Sequence, residues 1–383
     1  MKNKVHFKLG IYWPTKGREI FSKKASHEEP QDFLYGFSDF KKKFKTKVTI
    51  VSIDSRRKMN SILSIVEEFL VKKINSFTRF KFFYYVIKYQ KSIFLNQHLI
   101  ISFTDSGSLS LGLFGRRFTK RPKLIGGFHA LADILQETNV ILRFIYKYYI
   151  TKSLKGLDHI FFFGEEDRKQ SIKLFKLNED KTSIFKFGID TKFWYPSQKI
   201  ISKKTILSVG SDPKRDYETL INAPQKYNTK ILTSLNIKIP SNCKHIEHLK
   251  GNFFKGLISN QKLRELYHEA YIIVIPIKNV FQPSGYSVTL QALACGKPII
   301  LPYFRGLWDK EVFKDRNNCL FYIPEDKFDL ASKINELMTN TNLFEKLKIN
   351  GRKTAKKFFS LNRMSKNLET IIFSNILDKN KNE

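Results

Sequence analysis

The stretch Phe281 to Ile300, FQPSGYSVTLQALACGKPII, constrains the fold more than any other part of the chain. Gln282-Pro283-Ser284-Gly285 is a loop signal. From Val288 onward, Val288, Leu290, Ala292, Leu293 and Ala294 are too densely apolar for a helix with a wet face, so the spacing predicts a buried one. Gly296 and Pro298 end it, as a glycine after the last turn and a proline beyond it do. Ile299, Ile300 and Leu301 then read as a short buried strand. A loop, a buried helix and a buried strand in such close succession belong to the α/β class. The loop and helix start, with Ser284, Gly285, Ser287 and Thr289, could cradle an anion, because free backbone N–H groups, the positive helix end and small hydroxyls converge there. By pattern alone it fits an ordinary capped helix equally well.

The same rhythm runs through the chain. Lys4–Trp13, Val48–Ile53, His98–Thr104, Lys123–His129, His159–Phe163 and Ser183–Ile189 read as strands separated by helical or irregular segments. A second series is Thr205–Val209, Lys230–Leu235, His245–His248, Tyr271–Ile277, Ile299–Leu301 and Cys319–Pro324. Leu330–Leu337, Leu343–Ala355 and Phe358–Leu377 carry helical periodicity. Strands alternating with helices imply parallel sheets, and 383 residues exceed one ordinary core. The polar, lysine-rich run Ser197–Lys204 marks the linker. Cys243, Cys295 and Cys319 are too few and too scattered for a zinc pattern or a disulfide framework, which fits a reducing compartment. The beginning, MKNKVHFKLGIYWPTKG, has charges inside its apolar run, and no stretch is long and apolar enough to span a bilayer. A cytoplasmic location is expected.

The formal charge of +33 asks for a partner or an excuse. Nucleic acid is one partner, but no helix-turn-helix, RNA-recognition or zinc motif accompanies the charge, and it is set aside. An anionic membrane is another; biased codon usage is the excuse. In Ser61–Lys91, Phe77, Phe80, Phe82, Phe83, Tyr84 and Tyr85 interleave with Lys72, Lys73, Arg79, Lys81, Lys88 and Lys91. Ile141–Lys155 repeats that chemistry with Arg143, Tyr146, Lys147, Tyr148, Tyr149 and Lys152, and Lys41, Lys42, Lys43 and Lys45 cluster upstream. Each stretch could bury its aromatics in a core and leave its lysines wet. Two such stretches in one half point instead to a surface resting on the inner face of the cytoplasmic membrane.

Gln291-Ala292-Leu293-Ala294-Cys295-Gly296-Lys297-Pro298 resembles the donor signature of the GT-B glycosyltransferases of group 1, the superfamily that includes glycogen synthase and lipopolysaccharide sugar transferases. Their pattern is Glu, seven residues, Glu, then Ala-x-Ala-x-Gly-x-Pro. Pro283 and Gln291 occupy the two glutamate positions here, so both acids are absent. The resemblance is strong across 205–365. It implies two Rossmann-like domains facing across a cleft: 1–196 for the acceptor, 205–357 for the donor, and a terminal helix, 358–383, crossing back to the first. Gly188-Ile189-Asp190-Thr191 resembles the segment closing the first domain. Val209-Gly210 with its polar loop resembles the opening of the donor domain. Arg215 matches the residue that grips the donor diphosphate, Lys214 is a weaker candidate, and Ser211 stands where the family has an arginine.

The resemblance further implies that Leu257 packs on the nucleotide base and that Ser284, Gly285, Ser287, Val288 and Thr289 line the diphosphate. Gln291 would accept a ribose hydroxyl through its amide oxygen. His129, at a strand end where ligands gather in open α/β sheets, would lie near donor sugar and acceptor, and Asp105 is a lesser candidate beside it. The implied reaction moves a sugar from a nucleotide-diphosphate sugar to a hydroxyl of a glycan or lipid-linked acceptor in cell-surface polysaccharide synthesis. The resemblance implies retention of configuration and no metal, and no cofactor besides the donor is expected. Two alternatives stay open: a sugar-nucleotide 2-epimerase, and a non-catalytic relative that binds a glycan or a partner.

Overall fold

The computed structural model describes residues 8–13, 29–44, 47–52, 91–136, 140–198, 203–251 and 258–377. The chain forms two units. One comprises Met1–Lys24, Gly36–Phe185 and Ser365–Glu383; the other comprises Ala25–Tyr35 and Lys186–Met364.

The first unit holds a six-stranded parallel sheet of β1 (Lys8–Trp13), β2 (Lys47–Ser52), β3 (Leu99–Ser102), β4 (Lys123–Phe128), β5 (His159–Phe162) and β6 (Thr182–Ile184), in the order β2-β1-β3-β4-β5-β6. Its helices are α1 (Phe37–Phe44), α2 (Lys91–Leu95), α3 (Asp105–Ser110), α4 (Val140–Leu154) and α5 (Glu165–Phe175). β3 and β5 are buried along their whole length, which is why they read as unbroken apolar runs rather than alternating ones. Tyr146, Ile150 and Leu154 of α4 join Ile100, Leu124, Ile160 and Phe162 in the core. The strand expected over Ser183–Ile189 is shorter: it stops at Ile184, and Ile189 makes an isolated bridge to Ser360 in the second unit. Most of the basic-aromatic stretch Ser61–Lys91 lies outside the described residues.

The second unit repeats the plan with β7 (Ile206–Val209), β8 (Thr229–Thr233), β9 (Ile246–Lys250), β10 (Ile272–Val274), β11 (Ile299–Pro302) and β12 (Leu320–Tyr322), again six parallel strands, ordered β12-β11-β10-β7-β8-β9. Helices α6 (Tyr217–Ile221), α7 (Asn260–Glu269), α8 (Tyr286–Ala294), α9 (Lys327–Thr339) and α10 (Thr341–Phe358) cover it. β8 and β9 lie to one side of β7 and β10 to β12 to the other, so chain direction across the sheet reverses between β7 and β10. Such a switch point leaves a crevice at the carboxyl ends of the two strands.

Helix α8 begins at Tyr286, earlier than the apolar run implied, because Gly285 at φ 80° closes the loop in the left-handed region. The last helix, α11, runs Leu361–Leu377, and from Ser365 it belongs to the first unit. There Phe373 meets Phe40 and Phe44 at 6.0 and 5.0 Å, and Glu369 pairs with Lys43 at 2.6 Å. Among the described residues no helix is long and apolar enough to cross a membrane.

Candidate active site

The crevice between β7 and β10 is built from two loops. The first, after β7, runs through Gly210-Ser211-Asp212-Pro213-Lys214-Arg215; the second, after β10, reaches Gly285 at the start of α8. Arg215 and Ile277 bridge them in antiparallel fashion, Asp216 N–H donates to the Pro276 carbonyl at 3.1 Å, and Lys278 N–H donates to the Lys214 carbonyl at 3.0 Å. Asp212 holds the two together by side chain: its Oδ2 accepts from Ser284 Oγ at 2.8 Å and Gln282 Nε2 at 2.9 Å, and its Oδ1 accepts the Lys214 N–H at 2.9 Å. Asp212 was not singled out from the sequence, although an aspartate before proline is a turn signal.

Arg215 is the centre of this arrangement. Its side chain is only 6% exposed, and neither Nε nor Nη1 has a hydrogen-bond partner. The guanidinium lies between two glycines. At Gly210, φ 146°, an added Cβ would run into it; at Gly285 an added Cβ would lie 3.3 Å from Nη1 and 2.7 Å from Ile277 Cδ1. Both glycines therefore supply the backbone turn and the room for the cation. Tyr217 backs the loop, its hydroxyl donating to the Gly210 carbonyl at 2.6 Å. Burial pushes the Tyr217 phenol up, and the nearby Arg215 charge partly offsets this.

The start of α8 is pinned beside this cation. Tyr286 stacks on Trp308 at 4.3 Å and contacts Phe187 at 5.6 Å. The first-turn N–H groups, Ser287 and Val288 among them, lie at the positive end of the helix. A buried guanidinium with uncommitted N–H groups next to a helix N-terminus has the chemistry to receive a multiply charged anion: leaving such donors unmatched costs on the order of 1–3 kcal/mol, and phosphate oxygens match the fork.

The other expected site residues divide. Gly210, Lys214, Ser284, Gly285 and Ser287 belong to this cluster, and Val288 is a buried first-turn residue. Two of the expected residues are engaged within the protein. The Thr289 hydroxyl is fully buried and donates to the Gly285 carbonyl at 2.9 Å, so it stabilises the first helical turn instead of facing a ligand. Gln291 is 4% exposed, and the oxygen expected to take a ribose hydroxyl accepts from Tyr267 O–H at 3.1 Å. Tertiary burial has turned both side chains inward. Leu257 lies outside the described residues. Lys297, within the signature, caps the end of α7: its Nζ donates to the His268 and Ala270 carbonyls at 3.0 and 2.8 Å, and burial lowers it to about 8.

His129 sits in the first unit just past the carboxyl end of β4. Its ring stacks on Phe163 with centroids 3.8 Å apart, and Nε2 lies 3.1 Å from the Phe103 carbonyl, which can only accept. The Asp105 carboxylate accepts the His129 and Ala130 N–H groups at 2.9 and 3.1 Å. The imidazole is thus fixed by its face and one nitrogen. Among the described residues no group of three or more His, Cys, Asp or Glu side chains is placed to hold a metal ion.

The family described as Glycosyl transferases group 1 matches residues 242–354, which include α8 and its loop. Solved structures share the fold over nearly the whole chain. Anabaena HepE in complex with UDP and glucose is 11% identical, with a TM-score of 0.66 over 96% of this chain and 100% of that one. Sucrose-phosphate synthase from Thermosynechococcus elongatus is 13% identical, with a TM-score of 0.70 over 97% and 100%. A glycosyltransferase from Rickettsia africae is 15% identical, with a TM-score of 0.63 over 96% and 98%. No curated protein matches the sequence. Residues 242–354 are thus similar to the group 1 glycosyltransferases, and the chain as a whole shares the fold of these solved structures.

Proposed function

We propose that the protein transfers a sugar from a nucleotide-diphosphate sugar to a hydroxyl of a glycan or lipid-linked acceptor, of the kind used to build cell-surface polysaccharide. The observation that carries this is the buried, unmatched Arg215 guanidinium facing the start of α8. In such a transfer the bond between the anomeric carbon and the diphosphate oxygen breaks and a bond to the acceptor oxygen forms. The acceptor proton leaves with the diphosphate or to water. Negative charge grows on the departing phosphate oxygen, and donors already aimed at that oxygen lower the barrier without reorganising. Arg215 and the α8 N–H groups supply such donors, so the diphosphate can be neutralised by this chain's own residues. Retention of configuration and independence of metal follow from the family resemblance and belong to the same proposal. His129 is proposed to contact donor sugar or acceptor.

The acceptor side of the proposal rests on α4. Its inner face is core, while Phe144 is 81% exposed, Val140 67%, Tyr148 60% and Ile145 57%. Lys147 and Lys152 are exposed on the same helix. An apolar stripe edged by cations suits an interface with anionic headgroups, where a lipid-linked acceptor would be met on the cytoplasmic leaflet.

The test is to incubate the purified protein with UDP-, GDP- and ADP-sugars and follow nucleotide release and sugar transfer to lipid-linked acceptors, with and without EDTA. Transfer with release of nucleoside diphosphate supports the reading. A changed sugar on an intact nucleotide would mean epimerisation. No binding or turnover of any nucleotide sugar would leave a non-catalytic binder.

A further inference from the structure

The loops after β7 and β10 carry a negative charge that their fold does not require. Asp212 stands between Ser211 and Pro213 and is half-buried. Its side-chain partners are all neutral: the Lys214 N–H reaches Oδ1 at 2.9 Å, and Ser284 Oγ and Gln282 Nε2 reach Oδ2 at 2.8 and 2.9 Å. Accepting the N–H two residues on is the ordinary turn of an aspartate or an asparagine. An asparagine would serve equally, with its oxygen toward Lys214 and its amide toward the other loop, since a hydroxyl and an amide can each present an acceptor as well as a donor. Turn and strut thus account for the shape of this side chain and leave its charge unexplained.

The charge also works against the other task of these loops. Arg215, buried with Nε and Nη1 unmatched, and the first turn of α8 both favour an anion beside them. Asp212 is tied to Ser284, the residue just before Gly285, which is the N-cap of α8. An acid there takes up part of the positive potential that an incoming diphosphate would use, and it repels the diphosphate itself. A site made only to grip phosphate would do better without it.

What a carboxylate does better than a neutral side chain is accept hydroxyl groups. It offers about four lone-pair sites. Oδ2 of Asp212 takes two donors and Oδ1 takes one, so Oδ1 keeps room for another. We propose that Asp212 is a specificity-determining residue: its Oδ1 accepts a hydroxyl of the transferred sugar and so sorts nucleotide sugars from bare nucleotides. The inference rests on the proposed transfer reaction. Two hydroxyl-bearing groups flank the diphosphate of such a donor, the ribose and the sugar. Only the sugar becomes electron-poor as its bond to the departing oxygen breaks. A carboxylate beside it stabilises that charge, while Arg215 stabilises the opposite charge on the phosphate.

The experiment compares wild type with Asp212→Asn by titration calorimetry, with thermal unfolding alongside. The probes are UDP with UDP-glucose, UDP-galactose and UDP-N-acetylglucosamine, and GDP with GDP-mannose. For the nucleotide sugar that wild type binds most tightly, Asp212→Asn should weaken binding about tenfold, as expected for one lost charge-assisted hydrogen bond. The matching bare nucleotide should bind as tightly as to wild type or more tightly, because a repelling charge is gone. A strut alone predicts that both weaken together. Asp212→Ser, whose hydroxyl can still take the Lys214 N–H, repeats the comparison should the asparagine variant fail to fold. Equal losses for nucleotide sugar and bare nucleotide would make Asp212 a strut or a ribose contact and overturn the proposal. Undiminished binding of the nucleotide sugar overturns it as well. Wild type binding none of the probes overturns the transfer reading together with this inference, whereas binding with an unchanged sugar-to-nucleotide ratio in the variants overturns the inference alone.

Discussion

The two units share a plan and differ in what they do with charge at the carboxyl ends of their strands. In the first, Asp105 at the end of β3 is matched by the His129 and Ala130 N–H groups, and the His129 ring is stacked and bonded to a backbone carbonyl. In the second, Asp212 is matched just as fully by Ser284, Gln282 and Lys214. Arg215, a few residues on, is buried without partners at Nε and Nη1. A satisfied polar cluster shapes a loop. An unsatisfied cation at a switch point is stable enough to persist when the rest of the unit holds it, and it gains most when an anion arrives.

The sharpest way to break this comparison is Arg215→Ala. Turnover with the productive nucleotide sugar should fall by about 10²–10³, or roughly 3–4 kcal/mol, the cost of losing one donor to a developing oxyanion. The unfolding temperature should hold or rise, because an unmatched buried charge is removed. Turnover kinetics and calorimetry on the one variant check both halves. Equal turnover would end the role of Arg215, and a large loss of stability would mean the guanidinium is matched after all.

Next in size is Gly285→Ala. The left-handed φ of 80° and a Cβ placed 2.7 Å from Ile277 Cδ1 should together destabilise the second unit by about 1–3 kcal/mol and displace the helix start. Chemical denaturation would measure the first effect and nucleotide affinity the second. If both are unchanged, the loop is more yielding than the contacts around Arg215 imply.

Asp32, fully buried in the second unit with its carboxylate accepting the Asp190 N–H at 2.6 Å and Trp194 Nε1–H at 2.8 Å, offers a pH test. Burial raises Asp32 from 3.8 to about 7. The folded chain then keeps a proton that the unfolded chain has released between those values. The stability associated with this group is present below about pH 4 and is lost as pH rises through about 7. Relative to Asp32→Asn, wild-type stability should decline across that window by at most about 1.4 kcal/mol per pH unit, then level off. Parallel stability curves for the two proteins would show that Asp32 is ionised throughout.

The smallest expected effect on folding comes from the first unit's surface. Phe144→Ser with Tyr148→Ser removes two exposed rings of α4 and should change stability by no more than about 0.5 kcal/mol. Flotation with anionic liposomes at low salt should nevertheless drop, and high salt should release the wild type. Undiminished flotation of the double variant would take the membrane role away from α4.

Much of this was legible in the linear chain because it depends on local chemistry. Apolar runs such as Leu99–Ser102 and Ile299–Pro302 had to be doubly covered strands, and their alternation with helices had to give parallel sheets. Gly285 ahead of a buried helix marked the start of α8, and Arg215 stood out as a cation in the poor place for one, next to a helix N-terminus. Both are features that a residue and its near neighbours settle.

Partnership across the fold was not legible. Thr289 and Gln291 read as ligand contacts from their positions, yet Thr289 closes on Gly285 and Gln291 accepts from Tyr267. Nothing near Asp32 in the chain indicates that Ala25–Tyr35 joins the second unit, or that its acid meets residues some 160 positions away. The sequence by itself determined the class of fold, the strand and helix rhythm and the residue types at the loops after β7 and β10, because periodicity and backbone permissiveness are local properties. Tertiary structure alone decided which polar groups are matched and which are left open, because a hydrogen bond in a buried site depends on what packing brings within about 3 Å, and packing pairs residues without regard to their distance along the chain.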